Sequence, residues 1–163
     1  MSSSATPQTK PVLPVILKAW LSAGTLDISI ALVYYYLKTG KDPSNVLRFV
    51  ASGAFGKTAF SGGNTMAAYG LFFHYMVALG WTILFFIIYP WLNFLKKNII
   101  LTAIIYGAFV WLMMNRVVVP LSAVPAQTFD IKQAAIQMFI LMIAIGLPLS
   151  IFAKRHYPGT NAR

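Results

Sequence analysis

The chain has 163 residues, 58% of them hydrophobic and 10% charged, with a mean hydropathy of +0.70. A soluble domain carries about 25% charged residues and needs a large wetted surface at this length, so much of this surface is expected to face lipid. The net charge of +10 comes from basic residues that flank apolar runs, which suits headgroups and topology better than nucleic acid, and the absence of cysteine excludes disulfides and thiolate metal sites.

The start, "MSSSATPQTKPVLP", lacks the basic region and short apolar core of a signal peptide. Residues 1–10 read as a flexible tail, and 11–157 as a single four-helix transmembrane domain. A span needs about 20 predominantly apolar residues, and four segments qualify. The first covers about 13–37, opened by Pro11 and Pro14 and closed by the Tyr34–Tyr36 aromatic run. Asp42-Pro43-Ser44 then signals a helix start, with Ser44 or Asp42 as the cap. The segment that follows, about 44–60, mixes Val46, Leu47, Phe49, Val50, Phe55 and Phe60 with Arg48 and Lys57. It is too short and too charged to span, so it is expected to be an interfacial or re-entrant helix. Gly53 and Gly56 would allow close approach to another backbone, and Gly62-Gly63 would end the helix.

The second span is expected at about 65–91, closed by Tyr89, Pro90 and Trp91, and the third at about 99–119 after Lys96-Lys97. Pro120 and Pro125 should end the third. Thr128 or Asp130 should cap the fourth, about 131–153, in which Pro148 should cause a kink. Residues 158–163 form a C-terminal tail. Continuous apolar runs favour helices over a barrel, so the fold class is an all-α polytopic bundle with one additional helix between spans one and two.

Four spans place the tail, the second loop and the C-terminus on one side. That side holds Lys10, Lys18, Lys96, Lys97, Lys154, Arg155 and Arg163, and the other holds Lys38, Lys41, Arg48, Lys57, Arg116 and Lys132. The counts nearly balance. The dense pairs tight against span ends favour both termini in the cytoplasm.

Ionisable groups inside a membrane cost at least about 2.5 kcal/mol each and point to function or to a specific partner. Asp27 lies in "SAGTLDISIA", sharing a face with Ala23 and Ala31 beside Gly24. His74 lies in "GLFFHYMVALG", flanked on its face by Gly70 and Ala78, roughly 14 Å below the loop carrying the shorter helix. Asn115 and Arg116 lie late in span three, in the same half of the bilayer. Arg116 has two readings, a pair with Asp27 or a side chain snorkelling to the headgroups. Asp27, His74, Asn115 and Arg116 therefore form the candidate polar cluster, with Ser61 and Asn64 at its mouth and Gly24, Gly53, Gly56 and Gly70 as close-packing positions. For Asp27 and His74, structural pairing competes with a proton or ion role. No catalytic residue, metal site or cofactor is expected. There is no G-x-x-x-x-G-K-[ST], G-x-S-x-G or H-E-x-x-H, and His156 and His74 fall at different places with no Cys or Glu to complete a shell.

Together "AGTLDISIA", "ASGAFGKTAFSGG", "GLFFHYMVALG" and "MNRVVVPLSAVP" resemble a group of small four-span bacterial inner-membrane proteins. The His-bearing span and the "VVVPLSAVP" loop are similar to the YagU-type inner-membrane proteins. The resemblance covers about residues 15–153. It implies a bacterial plasma membrane and a shared polar set of Asp27, Gly53, Gly56, Gly62, Gly63, His74, Asn115 and Pro120, and it carries no activity. Two functions are expected. One is a small transporter or channel-like protein with an intramembrane polar site. The other is a non-catalytic subunit or assembly factor of a larger membrane complex. Lipid is the expected partner, with further copies of the chain or a larger complex beside it, and no nucleic acid.

Overall fold

A computed structural model of the chain describes residues 11–91, 96–126 and 128–157. Both tails, 1–10 and 158–163, lie outside these described residues. Among them every element is helical and no strand occurs. Four helices are long and apolar enough to cross a membrane. They are α1 (Leu13–Thr39), α3 (Gly63–Ile88, extended by a 3₁₀ turn Tyr89–Trp91), α4 (Ile99–Leu121) and α5 (Ile131–His156). The shorter helix α2 (Ser44–Phe55) runs into a 3₁₀ segment, Gly56–Phe60, and fills the stretch between α1 and α3.

Local chemistry sets the boundaries. Pro14 enters the first turn of α1, and Gly40 ends the helix in the left-handed region, its N–H bonded to Tyr36 O. Asp42 starts α2 by accepting the Ser44 N–H at 2.9 Å and the Ser44 hydroxyl, and Arg48 Nη2 reaches the same carboxylate at 3.4 Å. These bonds from Ser44, with Arg48 beside them, hold the Asp42 carboxyl below the ordinary carboxylate range. A lowered pKa favours the folded form above the ordinary value, and that contribution is lost as pH falls through the lowered one. The N-terminus of α2 is therefore expected to loosen only below about pH 4. Asp42→Asn should remove that acid-dependent step, read by amide exchange at Asn45 and Val46.

Asn98 caps α4 through Ile100 N and Leu101 N, and Asp130 caps α5 through Lys132 N and Gln133 N at 2.8 and 3.2 Å. Asp130→Ala should cost about 1 kcal/mol of α5 stability, measured by unfolding in mixed micelles.

Pro120 does not end α4. The helix continues to Leu121, and the turn before the proline widens into a π-helical segment, Met114–Val118. The fourth span repeats the device: a π segment, Met142–Gly146, precedes Pro148. Proline lacks an N–H, and its ring presses on the carbonyl four residues back. A wider turn takes up the displaced backbone without breaking the helix.

The core gathers where α1, α3, α4 and α5 meet, around Ala19, Phe85, Tyr106, Val110, Leu149 and Ala153. Small residues bring backbones together at two crossings. A Cβ on Gly107 would lie 2.4 Å from Met142 Cα, and one on Gly146 would lie 2.2 Å from Ala103 O, so α4 and α5 cross with a glycine each at the contact. A Cβ on Gly70 would lie 1.8 Å from Leu47 O, so α2 rests on the backbone of α3. The far end of α2 is tied to the chain after α4, where Ala123 N donates to Gly53 O at 2.9 Å.

Candidate functional site

The polar groups that meet inside the bundle do so on the seam between α1 and α3. Gly24 makes the approach possible: a Cβ there would press on the Tyr75 ring at 3.1 Å and on Ala78. His74, one residue from Tyr75, places Nε2 2.9 Å from Gly24 O. A carbonyl only accepts, so Nε2 carries the hydrogen and donates. In return Trp20 Nε1 donates to Tyr75 O at 2.8 Å, and Thr25 Oγ1 pairs with the Tyr75 hydroxyl at 2.8 Å. The Trp20 and Tyr75 rings meet edge-on at 5.9 Å. Each helix thus lends one side-chain N–H to a backbone carbonyl of the other.

Asp27 lies one turn beyond Gly24. It is half-buried, and no hydrogen bond or ion pair reaches its carboxylate among the described residues. Because Nε2 is committed to Gly24, the lone pair of His74 sits on Nδ1, the ring atom that can take up a proton. The seam therefore combines a proton-accepting imidazole with an unbonded carboxylate near the centre of a 27-residue helix.

The other expected members of the cluster are elsewhere. Asn115 turns back on its own helix, where Nδ2 donates to Trp111 O at 2.9 Å. Arg116 does not meet Asp27. It is exposed and lies over the Phe129 ring at 6.0 Å, toward the loop between α4 and α5. A long cationic side chain near a helix end gains more from that polar edge than from hydrocarbon. Ser61 donates to Thr58 O and Asn64 is exposed. The two best-formed hollows are shallow open grooves on the outer face of α1, one along Leu21, Ser22, Thr25, Leu26 and Ser29, the other along Ser29 to Leu37. Ser61 and Asn64 line neither groove. Of the close-packing glycines, Gly24 and Gly70 sit at helix crossings. Gly53 makes ordinary contact with Ser122, and Gly56 takes a φ of +59° beside Ala123.

Trp20, Thr25 and Tyr75 complete the seam and were not singled out by sequence. Trp20 and Gly24 stand one turn apart on a single stripe, and that spacing is the signal that marks them. Among the described residues no three His or Asp side chains gather into a metal-ligand set. Thr25→Val should weaken the α1–α3 contact by about 0.6 kcal/mol, the mean for such bonds in membranes, and Tyr75→Phe should match it. The double variant should show the losses to be non-additive in a mutant cycle. Comparison of the chain with protein-family models, curated proteins and solved structures yields no match.

Proposed function

We propose that the chain is a small channel-like or transporter protein of a bacterial plasma membrane, with both termini cytoplasmic, and that the species handled at its α1–α3 seam is the proton. One observation carries this reading. Asp27 has no hydrogen-bond partner among the described residues and lies one helical turn from Gly24, whose carbonyl is held by His74, a ring whose only uncommitted nitrogen is Nδ1. An unbonded carboxylate in a span is expensive unless the group exchanges protons or ions. The shallowness of the hollows favours a proton over a larger solute, because a proton passes between groups and needs no cavity of its own.

The test is proton flux into liposomes carrying the purified protein under an imposed pH gradient. Wild type should acidify the lumen faster than empty liposomes. Asp27→Asn should abolish the excess, and His74→Gln should reduce it roughly a hundredfold, the low end of the range for removing one proton-transfer group. Equal rates for wild type and Asp27→Asn would overturn the reading.

A second reading, a non-catalytic subunit of a larger membrane complex, is favoured by a different observation. Ser22 and Ser29 lie on the outer face of α1, exposed and with no hydrogen-bond partner among the described residues. Hydroxyls at that depth are commonly met by a neighbouring helix. Extraction in a mild detergent followed by mass measurement should then yield a species heavier than one chain.

A further inference from the structure

The two ends of the bundle differ in the acidic residues they offer their cations. The end that carries α2 holds two of the chain's three acidic residues, Asp42 and Asp130. There Arg48 bonds to Asp42, Asn45 and Gly63 O, Lys38 bonds to Gln133 beside the Tyr34 ring, and Arg116 covers Phe129, while the side chains of Lys41, Lys57 and Lys132 make no such contact among the described residues. The opposite end is formed by the start of α1, the end of α3, the start of α4 and the end of α5. Tyr157, just past α5, packs on the end of α3, its ring 5.9 Å from Tyr89 and 6.5 Å from Phe86. No acidic residue exists anywhere in the chain to serve that end, since the third, Asp27, is inside a span.

Lys18, Lys97, Lys154 and Arg155 are exposed there, and their side chains make no hydrogen bond, ion pair or ring contact among the described residues. Lys97 precedes the positive end of the α4 dipole, which adds to the field and cannot neutralise it. Trp91 stands at the same end, 83% exposed on the last turn of an apolar span, the position at which aromatic rings mark the headgroup layer.

We propose that this end binds anionic phospholipid headgroups, with Lys97, Lys154 and Arg155 as the phosphate-contacting cations and Lys18 snorkelling toward them from α1. No carboxylate meets the charge of Lys18, Lys97, Lys154 and Arg155 among the described residues, and the depth set by Trp91 places their counter-ion in the membrane surface. This inference is independent of proton handling at Asp27.

The experiment uses the full chain in detergent with phosphatidylglycerol, phosphatidylcholine or inorganic phosphate, and counts retained ligand by native mass spectrometry. Wild type should retain phosphatidylglycerol well above phosphatidylcholine, and millimolar phosphate should not displace it. Lys97→Gln/Lys154→Gln/Arg155→Gln should lower phosphatidylglycerol affinity by at least about tenfold, given the usual contribution of each basic residue at a membrane surface. A matched variant at the other end, Lys41→Gln/Lys57→Gln/Lys132→Gln, should leave it within about twofold. A charge-keeping variant, Lys97→Arg/Lys154→Arg/Arg155→Lys, should bind like wild type and separates loss of charge from misfolding. Equal losses in the two neutralised variants, equal retention of the two lipids, or displacement by phosphate would overturn the proposal.

Discussion

Gly146→Ala is expected to destabilise the bundle by about 2–3 kcal/mol, the upper part of the range for overpacking a filled core. The added methyl would meet Ala103 O at 2.2 Å, with Ala103 C and Cα at 2.8 and 2.9 Å. All three are backbone atoms, so no side chain can rotate out of the way. The helices must separate, and that separation also undoes the reciprocal contact, where Gly107 faces Met142 Cα at 2.4 Å and N at 2.6 Å. Gly107→Ala should therefore cost a similar amount, and the double variant less than the sum, because the first substitution already opens the crossing. Gly80 provides the contrast. Nothing lies within 4 Å of a Cβ built there, so Gly80→Ala should be neutral or stabilising by up to about 1 kcal/mol through helix propensity. Unfolding in sodium dodecyl sulfate mixed micelles measures all four variants. If Gly146→Ala melts like Gly80→Ala, the close crossing of α4 and α5 does not exist in the membrane.

Gly70→Ala should have an equally large effect confined to α2. A methyl at Gly70 would fall 1.8 Å from Leu47 O, and the Leu47–Arg48 peptide that carries this oxygen offers no flexible end to yield. The short helix must lift from α3 while the four spans keep their own contacts. The chain contains no cysteine, so a single Ser52→Cys on the buried face of α2 reports the event without further background changes. That thiol should label slowly with a maleimide in the parent. In the Gly70→Ala background it should label roughly tenfold to a hundredfold faster, the change in opening expected for 1–3 kcal/mol of local strain. Micelle unfolding of the spans should barely move. Unchanged labelling would show that α2 does not rest on Gly70.

These positions also show what a sequence of this kind discloses. The spans are legible because lipid demands long apolar runs. All four helices fall within about three residues of the expected limits, and the shorter helix begins at Ser44 as Asp42-Pro43-Ser44 indicated. Depth was legible too. His74 reaches α1 at Gly24, one turn from Asp27, and counting residues from a span end locates each. Azimuth was not. Asn115 points along its own helix to Trp111 O, because an amide in lipid can be satisfied four residues back as well as across a seam. Arg116 next to it points 100° away and finds Phe129. The Gly107–Gly146 crossing was hidden for another reason. Each glycine looks ordinary within its own span, and only the pairing of α4 with α5 gives it a partner. The π segments escaped notice because proline in an apolar run signals a break, while the observed helix widens one turn and continues.

The exchange of N–H groups between α1 and α3 fixes register. Helices held by apolar packing alone can slide along one another, since one methyl replaces another at little cost. Here Trp20 of α1 reaches Tyr75 O while His74 of α3 reaches Gly24 O, so the two bonds run in opposite directions across one crossing. A slip of one residue would move the partners about 1.5 Å along the axis and turn them about 100° around it. Both bonds would break together, with no neighbouring arrangement to replace them. The seam has one alignment, and Asp27 is held at one height and one bearing relative to the imidazole.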